Sequence, residues 1–343
     1  MARKSGLKLL FQGEFTMKKT LALLLVLCLA AALCACGQGA APAADSKNLT
    51  MDTGTETGTY YAFGGVLGSY ISKNTDMSVN VVSSGGSAAN LTGIVTDKIY
   101  DLATVQSDVM TYAYNGTNAF AESGKLDGFR VLCGLYAETV QIVTCNPDIK
   151  SVSDLKGKTV CVGDVGSGTN FNTLDILAAY DMTISDINPV YESFGNSTED
   201  LKNGKIDAAV ITSGAPTTAV TDLAQAKGFV YLISIDEAHM ARLLADCPWY
   251  ASYTIPGDTY KGQNGDAVTV TINATLVCRA DLPDDAAYAI VSTIFDNAAD
   301  IAVSHAKGAE LSLDFATEGM AVPFAVGAAK FFAEKGITVA TAP

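Results

Sequence analysis

The chain has 343 residues, 49% of them hydrophobic, and a formal net charge of −14. So acidic a body, with no lysine/arginine run, excludes nucleic acid as a partner and excludes long-range steering of anions, so an anion site has to be built locally. The length suits two lobes of ordinary domain size, with enough apolar content for a core in each.

Residues 1–16 precede a second methionine and contain Leu10-Phe11-Gln12-Gly13-Glu14-Phe15. They read as a protease-site and cloning remnant and are set aside. Met17-Lys18-Lys19 opens a basic segment, 21–32 is an apolar stretch, and Leu33-Cys34-Ala35-Cys36 has the lipobox form. A lipoprotein signal peptide is therefore expected over 17–35, with Cys36 as the lipidated residue and 36–47 as a flexible tether. Without the leader's net +4 the remainder carries about −18. Cys133, Cys145, Cys161, Cys247 and Cys278 are odd in number and lack Cys-x-x-Cys or metal-ligand spacing. Most are expected to be buried apolar fillers, one disulfide is left open, and no metal or cofactor is expected.

Along the rest of the chain, 49–51 reads as a short strand and 60–73 as a helix with Phe63, Val66, Leu67 and Tyr70 on one face. Strand 78–82, helix 88–96 and the buried strand 101–106 follow, then strands 129–135 and 140–145. A capped turn at 151–158 leads into strand 159–163 and helix 170–180. Next come strand 190–194, helix 198–203 stopped by Gly204, strand 207–212, helix 217–226 and strand 230–235. Residues 268–278 alternate as a β-branched strand, and helices are expected at 284–303 and 325–335. Strands alternating with helices predict an α/β fold with largely parallel sheets.

Four short strands run into Gly/Ser/Thr-rich turns that open helices: 53–59 (TGTETGT), 83–87 (SSGGS), 164–169 (DVGSGT) and 212–216 (TSGAP). Each presents backbone N–H groups at a positive helix end, which suits a small anion. The halves repeat one pattern, each closing on an aspartate before an apolar strand, Asp101 and Asp207. Two hinge-linked doubly wound lobes are predicted, 48–140 plus 270–343 and 141–269, with ligand at the carboxyl ends of the strands.

The motifs resemble the TAXI class of solute receptors of tripartite ATP-independent periplasmic (TRAP) transporters. The matching residues are Gly58-Thr59-Tyr60-Tyr61, Ser84-Gly85-Gly86-Ser87 with Asn90, and Leu102-Ala103-Thr104-Val105-Gln106-Ser107-Asp108. Also matching are Ser153-Asp154-Leu155-Lys156-Gly157-Lys158, Gly163, Gly166-Ser167-Gly168-Thr169, Asp207, Gly214-Ala215-Pro216, Ile255-Pro256, Tyr260-Lys261-Gly262-Gln263 and Ala280-Asp281-Leu282-Pro283. They run in order along nearly the whole mature length. Ser213-Gly214 departs from the pattern, in which a second glycine is common. The resemblance implies a type II periplasmic-binding fold, no catalysis, and a small carboxylate ligand such as glutamate, glutamine or 2-oxoglutarate. It also implies delivery to a TRAP membrane permease. With the lipobox, it points to a receptor anchored on the outer face of the bacterial cytoplasmic membrane, expected to act as a monomer.

The expected ligand-binding residues are Thr59, Tyr60, Tyr61, Ser84, Gly85, Gly86, Ser87, Asn90, Gln106 and Tyr136 in the first lobe. In the second they are Ser167, Gly168, Thr169, Asn172, Ser213 and Gly214. Glycines let the backbone approach an anion, and a tyrosine can cover the ligand while its hydroxyl donates. Gln106 is preferred to Asp108, whose carboxylate repels an acidic ligand. Arginine is the usual carboxylate clamp, yet none lies in these turns, so backbone amides and hydroxyls are expected to do that work, with Arg242 as an outside candidate. Alanine at Ser87 or Gln106 is expected to weaken binding without much loss of unliganded stability. The alternatives are a receptor for an ABC importer, an enzyme on the same fold using Cys133 or His239, and a ligand-free adhesin or signalling partner.

Overall fold

The computed structural model describes residues 47–342, so the leader, the signal peptide, Cys36 and the tether up to 46 lie outside the described residues. Ten strands form one curled sheet in the order β2-β1-β3-β10-β4-β7-β5-β6, with β8 on β4 and β9 on β10. They are β1 (Asn48–Asp52), β2 (Ser78–Val82), β3 (Leu102–Gln106), β4 (Phe129–Thr144), β5 (Thr159–Cys161), β6 (Asn188–Val190), β7 (Ala208–Ser213), β8 (Tyr231–Leu232), β9 (Ala251–Ile255) and β10 (Ala267–Arg279).

The two halves of the sheet have the same plan. In the first, β1 lies between β2 and β3, all parallel, and β10 returns antiparallel beside β3. In the second, β5 lies between β6 and β7, and β4 returns antiparallel beside β7. The long strands β4 and β10 pair with each other and pass from one half to the other. Each returning strand thus completes one half and leaves for the other. Helices supply the parallel crossovers, so the central strands are covered on both faces and read as unbroken apolar runs, as β3 (LATVQ) does.

The repeated aspartates have a shared geometric role. Asp101 donates its N–H to Thr50 O (2.9 Å), and its Oδ2 accepts the Thr50 N–H (2.8 Å). Asp207 does the same with Thr159 of β5, at 2.8 Å in both directions. Each carboxylate fixes where the third strand of its half starts against the first.

One apolar core packs around Phe63, Phe129, Tyr136 and Phe331. The other half has a core on each face of its sheet, one holding Val140, Ile176 and Ile272 and one holding Ile211 and Tyr260. The change of core falls between Tyr136 and Val140 on β4 and between Ile272 and Ala274 on β10. This is a two-lobed α/β fold of the type II periplasmic-binding kind, its lobes joined by two crossing strands.

Several expected elements differ. The strands expected at 129–135 and 140–145 are the single strand β4, because β10 pairs along it past Glu138. The strand expected at 190–194 ends at Val190, and Phe194 instead begins a helix to Asn203, with Ser193 Oγ accepting the Asn196 N–H at 3.3 Å. Of 230–235 only Tyr231–Leu232 is strand. The helix expected at 284–303 breaks at Asn297, whose side chain donates to Thr293 O (2.7 Å); the pieces Asp284–Asp296 and Ala298–Ser304 meet at 67°. Helix Glu237–Asp246 and edge strand β9 were not anticipated; β9 is short and exposed at four of its five residues. Among the described residues no single helix is long and apolar enough to cross a membrane.

Candidate functional site

Where the lobes meet, helices begin shortly after strands, and the first turns of several line one cavity. In the first lobe these are Thr59–Asn74, Ser87–Val95 and Ser107–Asn115, and none has a side-chain N-cap. In the third, Asp108 Oδ1 accepts the Val109 N–H (2.7 Å); in the first two the N-terminal N–H groups are left for other partners. Gly86, the residue before the second helix, has φ +106°, a conformation that favours glycine, and it lies against Ser167 of the other lobe. The facing helix Gly168–Ala179 is capped by its own Ser167, whose Oγ accepts the Asn170 N–H (3.1 Å).

The lobes touch directly. Thr59 N–H donates to Ser213 Oγ (3.0 Å), Ser213 Oγ to Thr59 Oγ1 (3.0 Å), and Thr59 Oγ1 to Gly214 O (3.4 Å). Ala88 N–H reaches Gly166 O (3.2 Å) and Ala219 N–H reaches Thr57 O (3.3 Å). Deeper in, Asn172 Nδ2 donates to Asp108 Oδ2 at 3.4 Å. The enclosed cavity between them measures about 40 Å³, room for roughly three waters. A ligand the size of an amino acid needs the lobes further apart than this.

Of the expected residues, Thr59, Tyr60, Gly85, Gly86, Ser87, Gln106, Ser167, Gly168, Thr169 and Ser213 line this cavity. The rest stand elsewhere. Tyr61 is half-buried on the helix and does not line it. Ser84 and Asn90 tie the first lobe's turns together: Ser84 Oγ donates to Asn90 Oδ1 (2.6 Å), and Asn90 Nδ2 donates to Thr53 O (2.7 Å) and Thr104 O (2.8 Å). Tyr136 is fully buried behind the floor, edge-on to Phe63. Asn172 lies between Asp108 and Tyr250, and Gly214 meets Thr59 at the lobe contact. Arg242 is on the surface, paired with Asp181 (2.7 Å).

The floor holds a residue the sequence reading missed. Glu138, in the middle of β4, lines the cavity and is 2% exposed. Tyr60 Oη donates to its Oε2 at 2.6 Å. Burial pushes the Glu138 carboxyl up to about 8, against the opposing pull of the Tyr60 hydrogen bond. The only signal was a lone acid inside an apolar run, which looked like a break between two strands. Phe194, at the mouth, was missed because its segment was read as strand. Gln106 is 2% exposed, and its Oε1 has no partner.

No group of metal-ligating residues occurs among the described residues, and the five described cysteines are free thiols, four of them buried. His239 is bound to Asp236 (2.6 Å) and stacked on Tyr180.

The site thus sits in a cleft between two lobes. A model of the NMT1-like family matches residues 51–336, and the chain belongs to that family. It is similar in fold to a solved protein of Bordetella bronchiseptica RB50, with 16% identity, 83% of this chain and 88% of that chain covered, and a TM-score of 0.52. Weaker likenesses are the periplasmic aliphatic sulphonate binding protein SsuA of Escherichia coli (15% identity, 84% and 90% covered, TM-score 0.43) and a Listeria monocytogenes protein assigned to an L-cystine ABC transporter (13%, 78% and 98%, 0.47).

Proposed function

We propose that this protein is an extracytoplasmic solute receptor, not an enzyme, that captures a small ligand between its lobes and hands it to a membrane permease. The observation that carries this reading is the cavity itself: helix ends from both lobes close over it, and six direct hydrogen bonds between the lobes hold it shut. Ligand contacts from both lobes favour the closed form over the open one, which is how binding drives closure. The two first-lobe helix ends that line the cavity, at Thr59 and Ser87, suit a carboxylate or a like anion.

The finer parts are a carboxylate ligand, a lipid anchor at Cys36 and the class of permease. The sequence resemblance implies a TRAP permease. The alternative, an ABC importer, sits better with the Listeria protein as it is named. Transport in vesicles separates the two: uptake driven by an ion gradient without ATP fits TRAP, and a need for ATP hydrolysis fits ABC.

Native mass spectrometry of gently purified protein, repeated after unfolding and refolding, tests the receptor reading. A released small molecule that rebinds the refolded protein is the expected result. Protein that carries nothing and shows no thermal shift with amino acids, carboxylates or sulphonates contradicts it.

A further inference from the structure

The cavity's polar groups are unevenly matched to a plain anion. Its helix ends offer donors on one side, yet the floor offers acceptors: the Glu138 carboxyl and the partnerless Gln106 Oε1. Both residues are 2% exposed, so water does not satisfy them cheaply. No lysine or arginine lines the cavity among the described residues, and Asp164 adds a second acid at its mouth. The cation behind the floor is already engaged: Lys307 Nζ donates to Glu310 Oε1 (2.5 Å) and Ala137 O (3.3 Å). A ligand with acceptors alone leaves Gln106 Oε1 unpaired. A ligand with an ammonium group beside its anionic end satisfies both sides.

We propose, on the receptor reading above, that Glu138 and Gln106 form an ammonium seat, so that the protein selects zwitterionic ligands bearing a primary amine over oxo acids, dicarboxylates and sulphonates. The ammonium donates to Glu138 and to Gln106 Oε1, while the anionic end lies on the helix N-termini. Tyr60 keeps its hydrogen bond to Glu138 and holds the carboxylate in place. Charged and titratable groups around Glu138 are Tyr60, Asp108 and Lys307, with Tyr136 and Glu310 behind. Burial keeps Glu138 mostly protonated at pH 7 before the ligand arrives. Seating an ammonium ionises it, so close to one proton passes from the carboxyl to the buffer at pH 7.

Calorimetry with the intact receptor tests this, using the twenty L-amino acids, 2-oxoglutarate, glutarate and ethanesulphonate as probes in buffers of different ionisation enthalpy. At least one amino acid is expected to bind about 30-fold or more tightly than every amine-free probe, with proton release at pH 7. Glu138→Gln is expected to remove that preference and the proton release together. The wild-type proton count needs no variant, and Gln106→Leu, which removes the second acceptor, is expected to lower the amine preference in its own right. Equal or tighter binding of an amine-free probe, with the lobes closing, overturns the ammonium seat and leaves the receptor reading standing. Binding of an amino acid without proton release also overturns the seat. No binding by any probe, and no closure, overturns both.

Discussion

Gln106 and Gly168 face each other across the cleft at a separation that admits no side chain on the glycine: a Cβ at Gly168 would overlap the Gln106 amide. Gly168→Ala therefore leaves the open form untouched and crowds the closed one. Overpacking of this kind costs about 1–3 kcal/mol, or roughly fivefold to a hundredfold in affinity. Calorimetry against the ligand recovered by native mass spectrometry checks it; unchanged affinity would show that the cleft does not close this tightly. Ser87 is a less selective probe than its sequence suggested, because its Oγ accepts the Gln106 N–H (3.1 Å). Ser87→Ala orphans a buried donor and is expected to lower unliganded stability by about 1–3 kcal/mol, whatever it does to binding. The turn residues were legible because Gly-Ser-Thr runs announce helix starts. Glu138 was not, since a single acid in an apolar strand gives no pattern.

Helices Ser107–Asn115 and Gly168–Ala179 belong to different lobes and bring carboxyls close to each other. Burial, then the charge of Asp175, pushes Asp108 up to about 7; burial pushes Asp175 up to about 6. Tyr250 Oη donates to Asp175 Oδ2 (2.8 Å), and Asn172 donates to both Tyr250 and Asp108. A raised folded-state value means that the folded protein keeps a proton the unfolded chain has lost. Stability from these groups is full below about pH 4 and falls as pH rises toward 7. Asp108→Asn removes that loss, so the variant's Tm is expected to exceed the wild type's by about 4 °C or more at pH 8 and by less at pH 5. Equal Tm differences at both pH values would contradict the assignment. At the same scale, Ser213→Ala deletes hydrogen bonds made only when the lobes meet. It is expected to weaken ligand binding by about fivefold while unliganded Tm moves little. A large drop in unliganded Tm would make Ser213 a folding residue. Most elements were legible from apolar periodicity. Helix Glu237–Asp246 and β9 were not, being largely solvent-facing.

At the scale of the molecule, each lobe repeats one strand plan, which is why two α/β lobes could be read from the sequence. That they share one curled sheet could not be read. It depends on β4 and β10 running unbroken through the lobe boundary, where Glu138 pairs with Ile272, a contact between segments far apart in the chain. On the receptor reading these two strands are the hinge, since bending them would separate cores that are packed independently. The residues over the cavity then part, and a ligand enters.

Small-angle X-ray scattering on refolded protein, with and without the compound released from the purified receptor, tests that claim most directly. A smaller radius of gyration with the compound present is expected. Identical curves with and without a compound that binds would contradict closure as the mechanism.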